Sequence, residues 1–194
     1  SFFAGETQEY LISFIPGICP PGTDLVQEFS YVQDFETFAT CDTSGAVPCA
    51  LGDGWTNGEE NDLDWYAHQG ATSTSNTGPS GDFSPDQMAG TYVYVEGSRS
   101  GGPEEEATLL SPCFDLSGLE APEVSFLYHM FGSDMGTLVL EARGIGLWQT
   151  MWSTSGNRQD IWREQTVDLS LLAGQVVKLR FVYITREGER SDIA

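Results

Sequence analysis

The 194-residue chain has little positive charge. Eight Lys and Arg residues stand against 29 Asp and Glu residues, which gives a net charge of −21, and Lys178 is the single lysine. Because such a surface repels phosphate groups, we expect neither nucleic acid nor an anionic membrane as a partner. Two interpretations of the carboxylates stay open: a solvated acidic surface, or one in which a few of them bind Ca²⁺.

Long apolar runs and catalytic motifs are also missing. No run approaches the roughly 18 apolar residues that span a bilayer, so we expect no membrane insertion. No signal peptide is visible, and we expect that a targeting segment has been removed before Ser1. The chain has two histidines, His68 and His129, and lacks the G-x-S-x-G, H-E-x-x-H and P-loop motifs. We therefore predict that it is not an enzyme.

The four cysteines form no C-x-x-C pair, which argues against a four-ligand zinc site. Cys41 and Cys49 bracket a short stretch rich in turn-forming residues, so a local disulfide between them is the favoured interpretation. Cys19 and Cys113 would then form the second disulfide, although three connectivities stay open. Disulfides indicate an oxidising compartment, and we expect an extracellular or cell-surface location.

The chain divides near residue 30. Residues 1–30 contain a strand-like run over 10–15 and a cluster of prolines and glycines over 16–22, which ends regular structure. We interpret them as the tail of a preceding domain plus a linker. Residues 5–10 resemble the end of the GEVED modules of bacterial surface proteins. Residues 31–194 form the main domain.

In the main domain, short runs of alternating apolar and polar residues are separated by glycines and prolines, and no helical stripe is present. This pattern predicts an all-β fold, a β-sandwich or jelly-roll. The predicted strands cover residues 91–95, 107–110 (ended by Ser111 and Pro112), 124–130, 137–142, 147–152 and 177–183. Residues 70–86 form a long polar loop.

Several fragments, in order, resemble the MAM family of extracellular domains, in a bacterial-type variant. They run from about residue 33 to 194 and include Asp34-Phe35-Glu36, Gly54-Trp55, Asp62-Leu63-Asp64-Trp65, Asn76-Thr77-Gly78-Pro79, Phe126-Leu127-Tyr128-His129-Met130 and Ser191-Asp192-Ile193-Ala194. The resemblance implies a jelly-roll β-sandwich of two antiparallel sheets. It also implies a non-catalytic adhesion or interaction module of a larger secreted or cell-surface protein.

Two alternatives stay beside this interpretation: a carbohydrate-binding module, and an accessory domain of a secreted peptidase. The expected partner is a protein or a glycan at the cell surface. Self-association is a further expectation. The family's final acidic pair and last strand would follow Ala194. We expect either that they are disordered or removed, or that a neighbouring chain completes that strand.

Two sets of residues are candidates for ligand contact. In jelly-roll modules the first and last strands often lie side by side with an ion between them, which would gather Glu36, Asp64, Asp82 and Asp192 around a structural Ca²⁺. Trp148 and Trp152 are four residues apart, so in a regular strand they share one face. If that face is exposed, they form a ligand-binding surface.

Overall fold

The computed structural model describes residues 18–43, 49–84, 88–100 and 102–194. The strand-like run over 10–15 and the GEVED resemblance lie outside the described residues. Within these ranges the chain forms β-strands and two single turns of 3-10 helix, at Gly97–Arg99 and Ser170–Leu172. The strands are β1 (Leu25–Val26), β2 (Thr56–Asn57), β3 (Tyr66–Gln69), β4 (Thr91–Tyr94), β5 (Glu106–Asp115), β6 (Glu123–Tyr128), β7 (Thr137–Arg143), β8 (Gln149–Ser155), β9 (Arg163–Asp168) and β10 (Val176–Ile184).

The larger sheet has the strand order β1-β5-β10-β7-β8, and β2 pairs with β5 outside this path. Its pairs are antiparallel except for β1 and β5, which are parallel. In β7, every second side chain is buried, including Leu138, Leu140 and Ala142. This period of two is what the alternating sequence predicts for a strand with one face on the core.

The second layer is joined by the end of the chain. It consists of the pairs β3–β4 and β6–β9, and Ile193 forms antiparallel bridges to both Val95 and Met130. The Val95 N–H donates to the Ile193 carbonyl over 2.9 Å, and the His129 N–H donates to the Ala194 carbonyl over 2.6 Å. Residues 190–194, here called the closing segment, therefore connect the two pairs into one layer. The predicted jelly-roll of two sheets is confirmed.

The core lies between the two layers. Met130, Leu140, Tyr183 and Ile193 are completely buried. Burying one such side chain contributes about 2 kcal/mol relative to leaving it in water. The hydroxyl of Tyr183 donates to the Ser191 carbonyl over 2.9 Å, so a core residue of β10 also holds the closing segment.

One strand boundary differs from the prediction. β5 does not end at Ser111 and Pro112 but continues to Asp115. Proline has no N–H to donate to a neighbouring strand, and the register with β10 shifts at this place, between Lys178 and Arg180. The hydroxyl of Ser111 accepts the Leu179 N–H over 2.9 Å, which replaces a ladder hydrogen bond.

Both expected disulfides are present, Cys19–Cys113 and Cys41–Cys49. The first ties the predicted linker to β5, and Leu25–Val26 of that linker adds the short parallel strand beside β5. The described part of residues 1–30 is thus packed on the jelly-roll. Across the described ranges, no helix is long and apolar enough to cross a membrane.

Candidate functional site

The closing segment lies against three glycines that leave no room for a side chain. A Cβ atom at Gly97 would lie 2.6 Å from the carbonyl carbon of Ser191, and one at Gly78 would lie 2.9 Å from the Cβ of Asp192. At Gly132, a Cβ atom would collide with the carbonyl of Arg190. Real Cβ contacts are almost never this short, so these glycines set the path of the last residues.

Glu96 is buried beside this path and is surrounded by hydroxyl groups. The Thr74 hydroxyl donates to Oε1 over 2.9 Å, and the Ser98 hydroxyl donates to the same oxygen over 2.7 Å. The Ser73 and Tyr94 hydroxyls donate to Oε2. Burial alone would raise the pKa of the Glu96 carboxyl, but the hydrogen bonds from the serines and Thr74 outweigh it and hold that pKa below its ordinary value.

Asp192 is completely buried next to Glu96. Its Oδ1 accepts the Gly97 N–H over 2.9 Å, while Oδ2 has no hydrogen-bond donor among the described residues. The nearby Thr72 hydroxyl donates elsewhere, to the Thr77 carbonyl. Burial, followed by the charge of Glu96, raises the pKa of Asp192 to about 7. We infer that Asp192 carries a proton and donates it to Glu96, because a protonated acid is a donor and this hydrogen bond raises the pKa of Asp192 while it lowers that of Glu96.

The four predicted calcium ligands fall into two groups. Both carboxylate oxygens of Glu36 accept the Thr91 N–H over 3.3 Å, and Asp82 packs against Gly90, so these two meet at the start of β4. Asp192 bonds to Gly97 beyond the other end of β4, roughly 20 Å away for six residues of extended chain.

Asp64 also lies near the last residue of β4, Tyr94, because it is two residues before Tyr66, which pairs with Tyr94. Across the described ranges, no three side chains of the types His, Cys, Asp and Glu are grouped so that they could hold a metal ion. Binding of Ca²⁺ stays a prediction, and Glu36 with Asp82 is the pair that the structure brings together.

The two tryptophans do not share a face, contrary to the prediction from their spacing. The register between β7 and β8 shifts so that Leu140 faces Trp152 while Glu141 faces Thr150, which leaves Met151 as an extra residue. Such a bulge reverses the alternation. Trp148 lies under the guanidinium group of Arg180, 4.5 Å from its ring centre. Trp152 packs against Phe126 and Tyr128 between the layers.

An exposed apolar surface lies at one end of the sandwich. Ile145, Leu147 and Leu171 are 83%, 76% and 83% exposed. The Ile145 N–H donates to the side-chain oxygen of Gln175 over 3.1 Å, and the side-chain amide of Gln175 donates to the Leu171 carbonyl over 3.5 Å. One glutamine thus joins both loops, and we call the surface formed by Ile145, Leu147 and Leu171 the apolar tip.

Sequence reasoning missed Glu96 and the apolar tip. Glu96 directly follows the predicted strand 91–95, and the serines and threonines of the loop over 70–86 were the available signal for its partners. The tip combines two loops that are more than twenty residues apart in the chain, and only the fold brings them together.

Comparison with known proteins identifies relatives of this chain. The family model described as MAM domain, meprin/A5/mu matches residues 34–194. The MAM domain-containing glycosylphosphatidylinositol anchor protein 2 of Mus musculus is 33% identical over 169 residues, which cover 78% of this chain and 18% of that protein. Neuropilin-1a of Danio rerio is 33% identical over 151 residues, covering 75% of this chain and 15% of that protein.

The chain therefore spans less than a fifth of the length of the curated relatives it matches. Among solved structures, the K1 cleaved adhesin domain of Lys-gingipain from Porphyromonas gingivalis W83 is 16% identical, with a TM-score of 0.49. That similarity covers 74% of this chain and 87% of the adhesin chain.

Proposed function

Because the chain belongs to the MAM domain family, we propose that it is a non-catalytic interaction module of a larger extracellular or cell-surface protein, and that it binds another protein through the apolar tip. The observation that carries this proposal is the exposure of Ile145, Leu147 and Leu171 on one surface. Clustered apolar side chains on an exposed surface are typical of protein contact sites.

The net charge argues for a partner other than a second copy of the chain. Two molecules of charge −21 repel each other, and the repulsion grows as their surfaces approach. A protein with an apolar patch and a neutral or basic rim has no such penalty. Self-association is the competing outcome, and it is read out by the molecular mass in solution.

The buried acid supports the non-catalytic part of the proposal. A carboxyl with a raised pKa is often a catalytic acid. Asp192, however, has no exposed surface and is enclosed by the closing segment, Gly78 and Gly97. No substrate can reach it in this structure. Its unusual pKa follows from its packing against Glu96.

The location follows that of the relatives. One of them carries a glycosylphosphatidylinositol anchor in its name. Two disulfides and no free cysteine among the described residues agree with an oxidising, extracellular compartment.

Binding to cells tests the proposed function. Fluorescently labelled chain is titrated onto intact cells, with the double variant Ile145→Asp/Leu171→Asp beside it. We expect saturable binding that falls at least tenfold in the variant, because two charges are placed in the contact. Val32→Asp is the matched control, since Val32 is 78% exposed outside the tip. Equal binding by the tip variant and the wild type would refute the proposal, as would a wild-type dimer that the variant dissociates.

We also propose that Glu36 and Asp82 hold a structural Ca²⁺ at the start of β4. Carboxylates are ligands that Ca²⁺ prefers, and carbonyl groups or water would complete its six to eight oxygens. The proposal is supported by the contact of both residues with the adjacent Gly90 and Thr91.

A further inference from the structure

A cleft opens between the two layers where β8 and β9 lie side by side. Its volume is about 500 Å³, within the range of small-ligand sites. The partly exposed Trp152 contributes an aromatic edge, and Arg158 and Arg163 contribute positive charge. The described residues that line the cleft include no Asp or Glu, although the chain has 29 of them. The cleft is thus a positive, partly aromatic site on a strongly negative molecule.

The guanidinium group of Arg158 has no partner in the described chain. Its backbone N–H donates to the Met130 carbonyl over 2.6 Å, which fixes the loop beside β6. Its Nε is buried without an acceptor, and the described residues form no ion pair or hydrogen bond with the rest of the guanidinium group. An arginine normally finds one of the many carboxylates on such a surface. Because Nε is buried, an external anion can reach the terminal amino groups of this guanidinium, and these have no partner among the described residues.

Arg163 is held in place by the loop that follows β8. Its Nε donates to the Arg158 carbonyl over 2.8 Å, and its Nη2 donates to the side-chain oxygen of Gln159 over 2.9 Å. Nη1 donates no hydrogen bond within the described ranges, so part of the guanidinium remains available. Because the backbone of Arg158 anchors Arg163, the two arginines keep a fixed relation to each other.

We propose that this cleft binds a carboxylate-bearing sugar, a uronic acid residue of an acidic glycan. The planar guanidinium groups match the planar carboxylate. The side-chain amides of Asn157 and Gln165, which also line the cleft, suit sugar hydroxyls because each amide both donates and accepts. Trp152 is partly exposed at the cleft and offers the edge of its ring to a sugar, whereas Tyr128 is buried behind it.

A glycan fits the cleft better than an acidic peptide does. An acidic peptide can pair its carboxylates with the arginines and its backbone groups with the amides, but its flexible side chains offer no rigid ring for the partly exposed Trp152. The net charge of −21 weakens the approach of any anion, but charges more than about 10 Å away are largely screened at 0.1 M salt. The nearby arginines therefore decide the contact.

Isothermal titration of the full chain with trigalacturonate tests the proposal. Galactotriose of the same linkage is the neutral counterpart, since it carries hydroxymethyl groups in place of the carboxylates. We expect the acidic sugar to bind at least tenfold more tightly than the neutral one. The indole N–H signal of Trp152, assigned with Trp152→Phe, should shift in the nitrogen-proton NMR spectrum as the acidic sugar is added.

Two variants separate local recognition from overall charge. Arg158→Gln removes the unpaired guanidinium without breaking a hydrogen bond in the described chain, and it should bring the affinity for trigalacturonate to within twofold of that for galactotriose. Arg186→Gln makes the same change of charge at an exposed position outside the cleft and should leave the affinity within twofold of the wild type. Unchanged thermal unfolding of both variants shows that they are folded.

Several results would overturn the assignment: no measurable binding of trigalacturonate, equal binding of the two sugars, or full binding by Arg158→Gln. Triglutamate peptide that binds the cleft as tightly as trigalacturonate would also overturn it, in favour of an acidic peptide. The Ile145→Asp/Leu171→Asp variant should bind trigalacturonate normally, because the proposed function uses a different surface. The two proposals therefore fail independently.

Discussion

The buried acid pair, Glu96 and Asp192, and the arginine cleft differ in where their polar groups find partners. Glu96 and Asp192 lie in the interior, and their partners are hydroxyl and N–H groups of the same chain. The guanidinium group of Arg158 lies beside a cleft and has no partner among the described residues. The pair holds the end of the chain in place, whereas the arginine is available to something from outside. The chain has 29 acidic and eight basic residues. The function of a charged side chain without a partner is therefore better indicated by its position, in the interior or beside a cleft, than by its charge.

The largest expected effect is the pH dependence contributed by Asp192. Its pKa is about 7 in the folded protein and 3.8 when unperturbed, so the folded state binds more protons between these values. The free energy of unfolding therefore falls as pH rises from about 4 to about 7, by on the order of 4 kcal/mol from this group. Urea unfolding at pH 4.5 and 7.5 measures the change.

Asp192→Asn is the variant that isolates this effect. Its amide can donate to Glu96 as the protonated acid does, and it does not titrate. We expect the variant to lose most of the decline between pH 4.5 and 7.5. Glu59→Gln is the matched control, since Glu59 is exposed and carries the same charge. The groups Tyr92 and Tyr94 also face Asp192, and burial raises the pKa of each, so both stay neutral in this range. A decline of equal size in Asp192→Asn would rule out the shared proton.

The next largest effect on stability is expected from the tight packing at Gly97, beside Glu96 and Asp192. Gly97→Ala places a methyl group against the backbone of Ser191, and we expect it to destabilise the protein by about 3 kcal/mol, because backbone atoms cannot move aside as a flexible side chain can. Gly118→Ala is the control: nothing lies within 4 Å of a Cβ atom there, and the change should stay within about 0.5 kcal/mol. Equal thermal unfolding of the two variants would contradict the tight path of the closing segment.

The sequence predicted the layers better than it predicted the sites. Alternation located β6, β7 and β10 because one face of each meets the core, and period two is visible without knowledge of the partners. The fully buried β4 was located by its run of β-branched and aromatic residues. The end of β5 and the bulge in β8 were missed, since both depend on the register with a neighbouring strand. Neither set of predicted ligand-binding residues stays together in the structure, because strand register and strand length separate them. Trp148 and Trp152 were separated by the bulge, and Glu36 and Asp192 by the length of β4.

Calcium has the smallest expected effect on stability. Its proposed site adds a third region to the comparison, an exposed pair of carboxylates. Glu36 is exposed, and it lies near Asp82 at the start of β4, where Glu36 contacts Thr91 and Asp82 packs against Gly90. A cation that binds only the folded state at 100 times its dissociation constant stabilises it by about 2.7 kcal/mol. We expect thermal unfolding to occur several degrees higher in excess Ca²⁺ than in chelator, and Glu36→Gln and Asp82→Asn each to remove the shift. Asp192→Asn should keep the shift, because Asp192 lies at the far end of β4. If Asp192→Asn alone removed it, the ion would belong to the buried pair, and the proton inferred there would be wrong.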